Sequence, residues 1–176
     1  MRTAKHRQMN EIESHPFSPF VPDNATTLIL GSFPGREQTQ METDNDQWFY
    51  GAKRNQFWKI ISSVYNTDLL CKEDKQQLFK RFGIGITDIL LKVRRKNNSN
   101  LDDNLEIIEY NDHAIKAILG NSNIKSIFFT SKYVEKHFCK LFPDVKTAEY
   151  LPSPSPRYAR MTKAEKINYY KSKLPQ

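Results

Sequence analysis

Asn55 stands in the run Trp48-Phe49-Tyr50-Gly51-Ala52-Lys53-Arg54-Asn55-Gln56-Phe57-Trp58, where it lies among aromatic rings and two cations. Upstream, the apolar run Leu28-Ile29-Leu30 breaks at Gly31-Ser32-Phe33-Pro34-Gly35, the pattern of a buried strand that ends in an exposed turn. A strand-end turn followed by an aromatic, basic, amide-bearing segment suits a pocket for something flat attached to a phosphate chain. The same residues have plainer uses. Asn55 is a good helix-capping residue, and Phe57 and Trp58 at helical spacing suit a core, where Trp58 is assigned.

The elements that must position these groups follow from local pattern. Residues 1–23 read as an irregular arm, because Pro16, Pro19 and Pro22 leave no room for a regular helix. Residues 25–30 read as a buried strand. A helix is expected over 55–65, where Phe57, Ile60, Ile61 and Val64 share one face. A second is expected over 72–82, ended by Gly83, and then a short strand and turn through Asp88. Residues 92–104 read as a surface loop. Asn111 can cap a helix that stops at Gly120, residues 125–130 form a strand, and Ser131 caps a helix that ends before Pro143. Residues 147–151 form a further strand, and Thr162-Lys163-Ala164-Glu165 has the capping-box spacing that opens the last helix. Strands alternating with helices predict an α/β fold, a three-layer α/β/α sandwich with a mainly parallel sheet of about four strands, in one domain over 1–176. In such sheets ligands lie outside the carboxyl ends of the strands, where the turns at 31–35, 87–88 and 151–158 compete for the edge.

The net charge of +7 favours a polyanionic partner. Lys92, Arg94, Arg95 and Lys96 form one basic cluster, and Arg157, Arg160, Lys163, Lys166, Lys171 and Lys173 another, though either also reads as solvated surface. Cys71 and Cys139 are far apart without CxxC spacing, so no Fe–S cluster or structural zinc is expected. His6, His15, His113 and His137 show no ligand spacing and are assigned no chemistry. With no apolar leader or membrane-length run, the expectation is a soluble cytoplasmic protein, a monomer without cofactor.

Several segments taken together, His15-Pro16-Phe17, Leu28 through Gly35, Phe49-Tyr50-Gly51, Arg54 through Trp58, Gly83-Ile84 with Asp88, and Leu151-Pro152-Ser153-Pro154-Ser155-Pro156, resemble the site motifs of the uracil-DNA glycosylase superfamily. The resemblance is closest to its hypoxanthine (deoxyinosine) DNA glycosylase branch. Mismatch-specific relatives carry an Asn where this chain has Phe33. The hypoxanthine branch lacks it too and uses the Asn of its aromatic-Gly-His-Pro-x-Asn-x-Phe-Trp segment, which here is Asn55. Ala52-Lys53 replaces the His-Pro of that segment, residues 42–46 add an acidic insertion, and Arg157-Tyr158 stands where the family shows Ala-Asn.

The resemblance implies a monofunctional DNA N-glycosylase acting on DNA that carries a damaged base. Cleaving the bond builds positive charge on the sugar and negative charge on the base, so an amide that orients water, Asn55, suffices if backbone donors stabilise the base. Gly31, Ser32 and Phe33 form the base-binding turn, Phe33 and Phe57 the stacking rings, and Asp88 holds a water or a neighbouring side chain. Ser153 and Ser155 grip the DNA backbone, Arg157 or Tyr158 fills the vacated stack, and Lys163 with the cluster at 92–96 contacts phosphates. Plainer roles stay open: Asp88 as a turn cap, Ser153 and Ser155 as ordinary loop, Arg157 as surface charge. The alternatives are excision of uracil or mismatched bases, and a non-catalytic nucleic-acid-binding protein on the same fold.

Overall fold

The computed structural model describes residues 11–40, 47–97, 99–121, 123–146 and 148–176. The acidic insertion at 42–46, residues 1–10 of the arm and Thr147 lie outside them. The first strand, β1 (Ile12–Ser14), is followed by β2 (Thr27–Gly31), a short α1 (Arg36–Gln40), α2 (Phe57–Tyr65) and α3 (Lys72–Phe82). Next come β3 (Ile84–Asp88), β4 (Leu90–Arg95), a 3-10 turn over Asp102–Asn104, β5 (Leu105–Tyr110) and α4 (Asp112–Asn121). The chain continues through β6 (Ser126–Phe129), α5 (Lys132–Leu141), β7 (Ala148–Tyr150) and α6 (Lys163–Lys173).

The expected parallel sheet is present, with four strands in the order β3-β2-β6-β7. Side chains alternate across it as strand geometry demands. Ile29, Ile84, Ile86 and Phe128 face a core shared with α2, α3 and α6. Leu28, Leu30, Ile127 and Phe129 face the opposite way, into a second core with α4, α5 and the strands β4 and β5. Helices therefore cover both faces, which is the sandwich expected.

Local rules account for most boundaries. The four apolar residues named for α2 are all buried. Gly83 ends α3 at φ +64, a left-handed conformation that favours glycine, and a side chain there would strike the Asn24 carbonyl. Ser131 Oγ accepts from Val134 N to start α5, and Thr162 and Glu165 complete a capping box on α6.

Three expectations need correction. The segment 92–104 is not all loop: β4 and β5 form an antiparallel hairpin, and with β1 they make a second, three-stranded sheet. β1 likewise gives regular structure to part of the arm, and Phe20 bridges to Ile86. The helix α4 runs through Gly120 to Asn121 rather than stopping at the glycine.

Candidate active site

Parallel pairing places Gly31 opposite Asp88, so the turns that follow β2 and β3 leave the sheet side by side. Two backbone bonds knit them, Ile89 N to the Gly31 carbonyl at 2.9 Å and Leu90 N to the Ser32 carbonyl at 3.2 Å. The third turn leaves β7 at the same edge, where Gln56 N donates to the Pro154 carbonyl at 3.0 Å and ties it to the start of α2. The ends of three strands and one helix thus converge.

Asp88 lies at the centre, nearly buried. Its Oδ2 accepts from His15 Nε2 at 2.9 Å, while His15 Nδ1 accepts from the Phe17 backbone amide at 3.1 Å. Those two partners define the ring's tautomer: Nδ1 is the acceptor and Nε2 carries the proton. Phe17, Phe33 and Phe49 pack around the imidazole with ring centroids 5.5–5.8 Å away. Gly31 has a specific reason to be glycine, since a Cβ there would meet both the Asp88 carboxylate and the Tyr50 hydroxyl. His15 is a site residue that ligand spacing in the sequence did not reveal; the His15-Pro16-Phe17 motif was the signal that could have found it.

Tyr50 is a second addition. It sits at φ +58, an unusual backbone for a bulky residue, and its hydroxyl shares a 2.8 Å hydrogen bond with Thr130 Oγ1 at the end of β6. Burial first, and the Asp88 charge second, hold that phenol well above its usual range, so it stays a neutral hydroxyl. Its ring lies on Phe57 with centroids 4.2 Å apart. This corrects the role expected for Phe57, which is fully buried in the core with Tyr50 covering it. The ring nearer the site is Tyr50.

Asn55 is half-buried at the entry to α2. Its Oδ1 accepts from Phe57 N at 2.9 Å, a side-chain turn just ahead of the helix, whose formal cap is Gln56 without any side-chain bond. One lone pair of the amide oxygen is used in this way, and among the described residues the NH2 group donates to no other protein group.

The first turn is held from the far side by the hairpin. Arg95, only 6 % exposed, donates from Nε to both carboxylate oxygens of Glu13, from Nη2 to the Pro34 carbonyl at 2.6 Å, and lies over the Phe33 ring. Asn100 Oδ1 accepts from Arg36 N at 3.0 Å. Asp102 accepts from Ser32 Oγ at 2.7 Å and from Ser131 Oγ at 3.4 Å. Among the described residues, no acceptor engages the backbone amides of Ser32 and Phe33. Asp102 was not legible as a site residue, because the segment's polar composition read as a surface loop, and Arg95 was legible only as a phosphate contact in the basic cluster.

The loop from Leu151 to Tyr158 has its carbonyls turned inward. Pro152 accepts from Tyr170 Oη at 2.8 Å and Ser155 from Lys166 Nζ at 3.4 Å. Lys166 is almost fully buried, its ammonium 5.2 Å from the Tyr158 ring centre, and burial lowers its pKa. Ser153 Oγ accepts from Ser155 N, and Ser155 Oγ from Arg157 N, both at 3.3 Å. Arg157 and Lys163 are exposed on this side. The basic cluster at 92–96 differs: Lys92 pairs with Glu109, Arg94 with Glu106 and Arg95 with Glu13, so most of its charge is neutralised within the protein. The partners the structure gives these three side chains are carboxylates of the protein itself, where phosphates were expected. Among the described residues no group of three or more His, Cys, Asp or Glu could hold a metal ion, and no helix is long and apolar enough to cross a membrane.

An α/β/α sandwich with polar and aromatic groups gathered beyond the carboxyl ends of its parallel strands defines a protein built to receive a ligand at that edge. The chain belongs to the uracil DNA glycosylase superfamily, whose family model matches residues 18–174. It is 28% identical over 118 residues, 66% of this chain and 70% of the relative, to a protein named hypoxanthine DNA glycosylase from Methanosarcina barkeri (strain Fusaro / DSM 804). Its fold is similar to the solution NMR structure of a candidate uracil DNA glycosylase from Methanosarcina acetivorans, with TM-score 0.70 and 21% identity over 92% of this chain and 98% of that one.

Proposed function

We propose that this protein is a monofunctional DNA glycosylase that removes a deaminated base, hypoxanthine, from DNA and leaves an abasic site. The observation that carries the reading is the presence of Phe33 in the first turn together with Asn55 at the entry to α2, whose neighbour Gln56 is bonded to the third turn. Phe33 has no amide to offer, and Asn55 has one. The relative named for hypoxanthine excision supports the choice of base.

In this reading the target nucleotide is flipped out of the duplex and its base enters against the first turn. The backbone amides of Ser32 and Phe33 stabilise the negative charge that gathers on the departing base, and Asn55 orients the attacking water. Asp88, aimed by His15, holds a water or supports the sugar-side charge. Ser153, Ser155, Arg157, Tyr158 and Lys163 grip the DNA backbone, the inward bonds of the loop's carbonyls leaving its outer side for phosphates.

Single-turnover assays on duplexes carrying inosine, xanthosine, uracil or mismatched thymine test it. Release of hypoxanthine fastest, with no strand cleavage, is the expected result. Preference for uracil or mismatched thymine would favour uracil or mismatch excision instead, and no release of any base would favour a non-catalytic DNA-binding protein.

A further inference from the structure

We propose that Asp102 and Ser32 form a carboxyl–hydroxyl pair in which protonated Asp102 donates to Ser32 Oγ and turns the Ser32 hydroxyl proton toward the leaving base. The inference rests on the base-excision reading above and deepens it by assigning a positioning residue from the hairpin loop to the base side of the site.

Ser32 follows β2 and Ser131 follows Thr130 at the end of β6, and these strands are paired neighbours. Asp102 reaches across both strand ends from the 3-10 turn between β4 and β5, one oxygen 2.7 Å from Ser32 Oγ and the other 3.4 Å from Ser131 Oγ. Ser131 Oγ already accepts from Val134 N, which leaves Ser32 as the partner that can turn. A hydroxyl has one proton to give. When Asp102 is ionised, that proton goes to the carboxylate and Ser32 presents lone pairs to the base, which oppose the charge gathering there. When Asp102 is protonated, its O–H goes to Ser32 Oγ and the serine proton is released to the pocket. The Ser32 hydroxyl then joins the neighbouring amides as a donor. No bond to either residue forms or breaks: the glycosidic electron pair leaves with the base, the water oxygen bonds to the sugar carbon, and the proton that this water gives up passes to solvent, from which the base anion takes one up.

Two carboxylates facing Asp102 favour its protonated form, Asp88 at the end of β3 and Asp103 beside it. Tyr50 ahead of α2 and Tyr133 on α5 also face it, as neutral phenols whose own ionisation the Asp102 charge opposes. Burial is the main influence raising its pKa, the Ser32 bond opposes it, and the Asp88 charge adds to it. The donor form is therefore complete below the pKa of Asp102 and is lost as pH rises through it, and a raised pKa carries it to higher pH.

The test measures single-turnover release of hypoxanthine against pH for the parent, Ser32→Ala, Asp102→Asn and the double variant. Asparagine can donate to Ser32 Oγ at every pH, so Asp102→Asn should match the parent's low-pH rate and remove its decline at higher pH. Ser32→Ala should lower the rate about 100-fold and make Asp102→Asn silent. Parallel pH profiles for parent and Asp102→Asn, or parent-like rates in Ser32→Ala, would overturn the pair, as a purely structural tie predicts. A ¹³C titration of the Asp102 carboxyl in DNA-free protein, identified by its absence in Asp102→Asn, is independent of turnover. Titration above the ordinary carboxylate range, moving higher still in Ser32→Ala, is expected; titration in the ordinary range would overturn the pair. If the parent releases no base, the proposed function fails, and the carboxyl titration still decides the pair.

Discussion

His15 Nε2 donates to Asp88 Oδ2 at 2.9 Å although the two residues are 73 positions apart, and both side chains are almost wholly excluded from solvent. The bond joins the N-terminal arm to the end of β3, directly beneath the turn that begins at Gly31. A carboxylate buried at that depth needs a donor, and the imidazole supplies it while its other nitrogen is occupied by the Phe17 amide.

Replacing His15 by Phe should therefore leave Asp88 without that donor in an aromatic surround. The expected loss is about 1–3 kcal/mol of stability by urea unfolding, the desolvation cost of an unsatisfied buried acceptor. Asp88→Asn in the same background should recover part of it, because an amide tolerates burial better than a carboxylate. Full stability in His15→Phe would show that Asp88 is satisfied elsewhere.

Asn55 separates catalysis from local structure. Asn55→Asp keeps an oxygen to accept from Phe57 N but loses the NH2 group, whereas Asn55→Ala loses both. Asn55→Asp should retain the thermal stability of the parent and cut single-turnover excision by orders of magnitude with DNA affinity nearly unchanged, the sign of an interaction made in the transition state. Parent-like excision by Asn55→Asp would move the catalytic amide elsewhere and leave Asn55 as a turn residue, for which Asn55→Ala costs about 1 kcal/mol.

Arg95 and Glu13 form a buried pair that also braces Pro34 and Phe33. Arg95→Met removes the cation from beside the buried Glu13 carboxylate, and about 3–5 kcal/mol of stability should go with it. Arg95→Lys keeps the charge but not the fork that reaches Glu13 and Pro34 together, so it should recover only part of that loss. Equilibrium unfolding of the two variants measures both.

The two basic clusters should behave differently toward DNA. Arg157→Glu with Lys163→Glu should weaken binding to all duplexes alike and reduce the slope of log affinity against log salt by about 1 for each phosphate no longer neutralised. Lys92→Gln with Arg94→Gln should leave that slope unchanged, because Glu109 and Glu106 already neutralise those charges. Titrations across a salt series read both, and equal effects from the two pairs would refute the distinction.

The elements most legible from the sequence were those whose signals are local. The faces of α2 and α3, the stop at Gly83, the caps at Ser131 and Thr162 and the apolar parallel strands all follow from residues within a few positions of one another. The turn 31–35 and Asp88 were legible as a shared edge because alternation of strands and helices implies one. What only the tertiary structure decided depends on partners remote in the chain. Arg94 and Arg95 read as a basic surface loop, phosphate-binding or merely solvated, until Glu106 and Glu13 are brought beside them, and β4 then appears as a strand with Val93 buried. Phe57 reads as a platform until Tyr50 is seen to cover it. Asp102 carries no local pattern, and His15 only the motif His15-Pro16-Phe17, which does not name its partner; a buried polar group is recognised by what satisfies it, and Asp88, Ser32 and Ser131 reach these two only through the fold.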